Sequence, residues 1–283
     1  MLLPALLVAI GLFGLGLLEV VRQSLGLGVP VPVPSAPTLS YYVDVLQDRE
    51  IQRAFGLTLW IAAASTALSV AAGVATAVLL RDLRQARRLV HILLQAPLAT
   101  PHLVVALVVI AVFAQSGLVA RVAFALGLID APGSFPVLVN DPAGIGIILT
   151  YAFKEIPFVA LVATALLARH SDEYDAVART LGATGWQRFR HVTWPSIAPG
   201  VRAAALMIFA YVVSAFETPF LLGRTYPAML PVVAQQRFMS PDLADRPSAM
   251  ACALLLTLLA GAVVGLYFAV ARSSSGRERP VFL

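Results

Sequence analysis

Six long apolar runs separated by polar connectors set the rhythm of the chain: residues 2–18, 54–80, 89–114, 144–168, 199–222 and 248–271. A bilayer-crossing helix needs about 20 mostly apolar residues, and each run falls near or above that length. The pattern predicts an all-α integral membrane protein with six transmembrane helices. The first run has the length of a signal peptide. No basic segment precedes it and no A-x-A-like site follows it cleanly, so it reads as a retained helix.

The connectors differ in character. Residues 26–37, GLGVPVPVPSAP, carry four Pro and read as an extended exterior segment. Residues 117–143 are broken by Pro132, Gly133, Pro136 and Pro142, which leaves room for a short interfacial helix at 119–128 and a loop. Residues 223–247 are polar, with Pro227, Pro231, Pro241 and Pro247. The connector that stands out is 170–198, with charges of both signs, two Trp and a closing Pro. In it Ser171 is placed to cap a helix whose first turn holds Asp172 and Glu173. Tyr174, Val177, Ala178 and Leu181 follow at i, i+3, i+4, i+7, one apolar face of a short helix. Gly182 is positioned to stop it. Trp186, Phe189 and Val192 recur every three residues in a second short piece, and Trp194-Pro195 closes the unit. Two short amphipathic pieces meeting at a Gly fit either a hairpin lying on lipid headgroups or a ridge that docks into a groove of a soluble partner.

Composition agrees with a membrane protein. The 283 residues are 59% hydrophobic and 12% charged, with mean hydropathy +0.86, against roughly 25% charged residues in soluble domains. The pI near 9.8 reflects Arg bias at span ends rather than a nucleic-acid partner. Twelve Arg fall in the connectors 81–88 and 169–202 and in residues 272–283, and seven fall in the others, nearly balanced by acids. The positive-inside rule puts the first set, the connector 170–198 and both termini in the cytoplasm. The single Cys252 excludes an intrachain disulfide. His170 and His191 have no ligand-spaced neighbours, so no metal is expected. A P-loop ATPase needs a Lys after a Gly-rich loop. The one Lys, Lys154, lies inside an apolar run, so the energy source is another chain or an ion gradient. No cofactor and no catalytic residue is expected, and the chain is not read as an enzyme.

Residues 176–195 resemble the loop signature of permease subunits of binding-protein-dependent ABC importers, the MetI-like superfamily with the type I importer fold. That signature is E-A-A, three residues, G, nine residues, then I-x-L-P. Here it reads Ala176-Val177-Ala178, Arg179-Thr180-Leu181, Gly182, nine residues, then Val192-Thr193-Trp194-Pro195. Ala178, Gly182 and Pro195 match in place. Ala176 stands where the family has Glu, with Asp175 just before it. The resemblance continues through YAFKEIPFVALVATALLA and LTLWIAAASTALSVAAGVATAVLLR and covers about residues 54–271. It implies a MetI-like permease core there with a cytoplasmic coupling helix. Residues 1–53 then form the first helix with the Pro-rich exterior loop, and 272–283 a cytoplasmic tail.

The resemblance also implies partners: a second permease, the same chain or a different one, ABC ATPase subunits, an external substrate-binding protein and the lipid bilayer of a bacterial inner membrane. The expected ATPase contacts are Tyr174, Ala178, Gly182, Ala183 and Trp186, with Arg179 on the rim. Ionisable groups at membrane depth are functional candidates. Lys154 and Glu155 either line the pathway or hold helices together. Glu217, near the outer end of its run, either meets a cationic substrate or faces exterior water or a neighbouring helix, and His102 and Gln115 are weaker candidates. Pro97 and Pro101 break the third run, and broken helices line cavities. FETPFLLGRTYPAMLPVVAQQ leans towards permeases for polyamine, ferric iron or phosphonate rather than sugar. The alternatives are a sugar-class permease, an ion-gradient-driven carrier with Lys154, Glu155 and Glu217 as its relay, and a membrane scaffold.

Overall fold

The structure, a computed structural model, describes residues 3–28, 36–82, 87–170 and 172–275. The Pro-rich residues 29–35, Arg84, Ser171 and the tail from residue 276 lie outside the described residues. Thirteen α-helices follow one another among them: α1 (Leu3–Ser24), α2 (Ser40–Gln47), α3 (Arg49–Asp82), α4 (Arg87–Ala99), α5 (His102–Phe113), α6 (Leu118–Ala125), α7 (Ile145–His170), α8 (Asp172–Thr180), α9 (Gly185–Arg188), α10 (Trp194–Ser214), α11 (Glu217–Leu222), α12 (Leu230–Phe238) and α13 (Arg246–Ser275). The described residues contain no strand.

Among the described residues five helical stretches are long and apolar enough to cross a membrane: Arg49–Arg81, His102–Ala125, Ile145–Ala168, Gly185–Ser214 and Leu243–Gly265. α1, where the first of the six expected spans falls, is a helix of 22 residues that is not among these five. Two expected spans have different bounds. The run 89–114 is not one helix. It splits into α4 and α5, and the membrane-length stretch begins at His102. Thr100 precedes Pro101, and the residue before a proline is pushed out of the α region. The run 199–222 ends early, at Ser214, and begins early, because the second amphipathic piece of the polar connector continues from Gly185 into α10.

The chain forms two compact units. One comprises Met1–Leu59, Val213–Phe220 and Thr225–Leu283. In it α13 packs against α1, α2 and α12. Polar side chains pin the helix ends: Asp48 takes a hydrogen bond from Arg237 on α12. Thr58 Oγ1 accepts from the Leu230 amide at 2.9 Å. Cys252 is buried. The other unit comprises Trp60–Val212 and Leu221–Arg224. There α7 packs on both α4 and α5. Ser65, Ser69, Gly73 and Ala77 recur every four residues on α3, and the three with side chains are fully buried. A Cβ at Gly73 would lie 2.6 Å from Val159 Cβ on α7. Small residues let membrane helices approach this closely. Trp60 and Leu79, on another face of α3, are 55% and 66% exposed.

Candidate functional site

Tyr174 and Val177 on α8 and Leu181 just past its end share one face, and they are 67%, 57% and 81% exposed. Trp186 on α9 is also 67% exposed. Large apolar side chains collected on a short polar segment mark an interaction surface. The opposite side of α8 carries Asp175, which is 3% exposed. Its carboxylate accepts from Arg179 Nε at 2.9 Å and from Arg188 Nη1 at 3.0 and 3.1 Å. Arg81, in the last turn of α3, lies at 3.6 Å. One buried carboxylate thus ties α8 to α9 and to the end of α3. A buried charge is tolerated when it is paired and hydrogen-bonded in this way.

The turn after α8 satisfies its own backbone. Ala183 N–H donates to Ala178 O at 3.0 Å and Gly182 N–H to Arg179 O at 3.0 Å. These are the paired 6→1 and 5→2 bonds of a Schellman cap. Gly182 sits at φ +76, a conformation that a side chain disfavours. Thr184 then caps α9, accepting from the Gln187 amide while the Gln187 side chain accepts from the Thr184 amide. Beyond α9 the backbone widens into a π turn at Phe189–Thr193, with Trp194 N–H on Phe189 O. Pro195 has no N–H to give the His191 carbonyl, and a one-residue widening there lets the helix run on. Trp186 stacks on Phe189, with ring centroids 5.6 Å apart. With Trp194 and α3 residues between Ala67 and Leu79 they line an apolar groove of about 830 Å³.

A second polar cluster lies where α4 gives way to α5. Lys154 on α7 is 5% exposed. Its ammonium donates to the carbonyls of Pro97 (2.8 Å), Leu98 (3.3 Å) and Thr100. Glu155 Oε1 is 3.5 Å from His102 Nε2. The His102 ring lies 4.9 Å from the Tyr211 ring and 6.2 Å from that of Tyr151.

Three of the intramembrane candidates, Lys154, Glu155 and His102, therefore meet at one place. Gln115 does not join them. Its amide donates to the carbonyls of Gly133 and Phe135, both at 2.9 Å, and fastens that loop. Glu217 begins α11 in the other unit and is exposed. Of the loop residues, Tyr174, Arg179, Gly182 and Trp186 are exposed, and Ala178 and Ala183 are half-buried around the Schellman bond. Arg179 turns back to Asp175. The side chains missing from the expected contact set are Val177 and Leu181, both on the exposed face. Asp175 with Arg179 at i+4 is legible as a pair. Arg81, some 94 positions earlier by number, gives no local signal. Among the described residues no three His, Cys, Asp or Glu side chains converge as a metal site would require.

Residues 67–274 match the model of the family described as binding-protein-dependent transport system inner membrane component. The sequence is 31% identical over 62% of its length to the inner membrane ABC transporter permease protein YnjC of Escherichia coli, of which it covers 33%. It is 27% identical over 77% of its length to the sulfate transport system permease protein CysW of Synechocystis, covering 76% of that protein. It is 29% identical over 62% of its length to the thiamine transport system permease protein ThiP of Brucella abortus, covering 32% of it. The chain thus spans about a third of the length of YnjC and of ThiP. Its fold is shared with a chain in the crystal structure of a bacterial ABC transporter involved in the import of the acidic polysaccharide alginate. The TM-score is 0.79 at 18% identity, over 96% of this chain and 94% of that one.

Proposed function

The chain belongs to the family of binding-protein-dependent transport system inner membrane components, and from that premise we propose that it forms half of a substrate pathway and is driven by a separate ATPase docked on the face of α8. The observation that carries this reading is the ridge: Tyr174, Val177, Leu181 and Trp186 exposed on a segment whose other side is locked by Asp175. A rigid helix face with apolar anchors is what helix-in-groove recognition uses. The ridge and both termini then face the cytoplasm, a reading that the Arg bias at span ends supports. A second permease completes the pathway and an external binding protein supplies the substrate. The alginate importer was also solved with an alginate-bound periplasmic protein, and its permease chain has a similar fold. ATP binding closes the ATPase pair, moves the ridge, and switches the pathway between inward- and outward-facing states.

The substrate is a small solute presented by that binding protein. Relatives and neighbour are named for sulfate, thiamine and alginate, three different chemistries, and they lend no support to the polyamine, iron or phosphonate lean of the sequence. The core is taken as residues 54–271, with the match at 67–274 in its support.

Reconstitution into proteoliposomes tests the reading. The chain assembled with its ATPase and binding protein should take up substrate on ATP and ignore an imposed ion gradient. Gradient-driven uptake by the chain alone would instead make it a secondary carrier, with the His102–Glu155 pair as the first relay candidate.

A further inference from the structure

Adjacent residues on a helix point about 100° apart, so Lys154 and Glu155 reach different neighbours, and here those neighbours are the two sides of one break. In an unbroken helix the residue 101 amide would bond Pro97 O and the residue 102 amide would bond Leu98 O. Pro101 has no N–H, and His102 starts a new helix. The last carbonyls of α4 are thereby left without helical donors, though the Thr100 amide makes a turn contact to Pro97 O at 3.2 Å. An ammonium has three N–H donors, and Lys154 spends them on Pro97, Leu98 and Thr100. Its charge also suits the negative end of the α4 dipole. Glu155 reaches the first residue of α5, His102. One dipeptide of α7 holds the end of α4 and the start of α5 together.

We propose that Lys154 and Glu155 are positioning residues that couple α7 to both halves of the broken helix, and that movement of α8 reaches the pathway through them. This rests on the reading of the chain as an ATP-driven permease. α7 ends at His170 and α8 begins at Asp172, so the helix that carries the dipeptide is the one that leads to the ridge along the chain. The 16 steps from Lys154 to His170 span about 24 Å of helix at roughly 1.5 Å per residue. A packed helix gripping two half-helices at their break moves both when it shifts. Without the grip, α7 moves and the break absorbs the motion.

The test uses the complex of this chain with its partner permease, ATPase and binding protein in proteoliposomes, reading uptake, ATP hydrolysis and the KM for loaded binding protein. For Lys154→Met, uptake per ATP should fall by on the order of tenfold with KM unchanged, and Lys154→Arg should recover much of it. Glu155→Gln should lie between the two. Should Lys154→Met fail to assemble, Pro101→Ala in the same chain returns the missing backbone donor. That double variant should assemble and still fail to couple hydrolysis to uptake. Unchanged uptake per ATP in Lys154→Met, or normal coupling in the double variant, overturns the proposal. So does a raised KM with uptake per ATP intact, which would make Lys154 a substrate contact. Absence of ATP-driven uptake by the wild type overturns the permease reading itself, and this proposal with it.

Discussion

Asp175 faces three guanidinium groups from three parts of the chain, and it is the residue on which the geometry of the ridge depends most. Asp175→Asn leaves those Arg without their counter-charge, and breaking a buried pair costs about 3 kcal/mol. The detergent-purified variant should melt several degrees below wild type. Arg188→Ala should cost more than Arg179→Ala, because the Arg188 side chain is 25% exposed and that of Arg179 is 61% exposed and exposed pairs contribute about 0–1 kcal/mol. Asp48 gives a pH prediction. Burial alone would raise its carboxyl, but the hydrogen bonds from Arg237 and from the Glu50 and Ile51 amides hold it below its ordinary value of 3.8. A carboxyl lowered in the folded state adds stability above its unfolded pKa, and that stability fades as pH falls through the folded value. Thermal stability should therefore drop from about pH 4 downward, and Arg237→Met should flatten that part of the profile. Only one pair of this network is legible in the sequence. The Asp175–Arg179 spacing was visible, but Arg81 and Arg188 join the carboxylate only through the fold.

At the scale of elements, the polar connector was the most readable part of the chain. Its apolar face, the stop at Gly182 and the short second piece are all where periodicity and turn chemistry put them. What periodicity missed was continuity: a π turn carries the chain past Pro195, so the second piece is the start of a membrane helix. At residues 89–114 the break expected at Pro97 and Pro101 falls at Pro101, while Pro97 lies inside α4. Hydropathy does not register a missing N–H, whereas a proline in the sequence marks one. Two substitutions test the elements. A Cβ at Gly182 meets nothing within 4 Å, so the cost there is conformational alone, about 1–2 kcal/mol for Gly182→Val, and Gly182→Asn should be milder. Gly73→Val meets Val159 and the Ile156 carbonyl at once. Forcing α3 from α7 should cost about 1–3 kcal/mol, visible as a loss of the monodisperse peak in size-exclusion chromatography.

At the scale of the whole molecule, the span pattern made the class legible and the spaced loop motif pointed to the family that residues 67–274 match. The substrate was not legible, because a pathway that receives its cargo from a binding protein carries few groups that select it. The intramembrane charges illustrate why. Lys154 satisfies backbone carbonyls, a use that the bare sequence does not distinguish from contact with a solute. The central claim is that the exposed face of α8 receives an ATPase, and co-purification from native membranes tests it most directly. Wild type is compared with Leu181→Asp, a change on the 81% exposed side chain that leaves Asp175 and the Schellman turn in place. An ATPase, identified by mass spectrometry through its nucleotide-binding sequence, should accompany wild type and be lost from a variant of unchanged melting temperature. An ATPase retained equally by both would contradict the central claim.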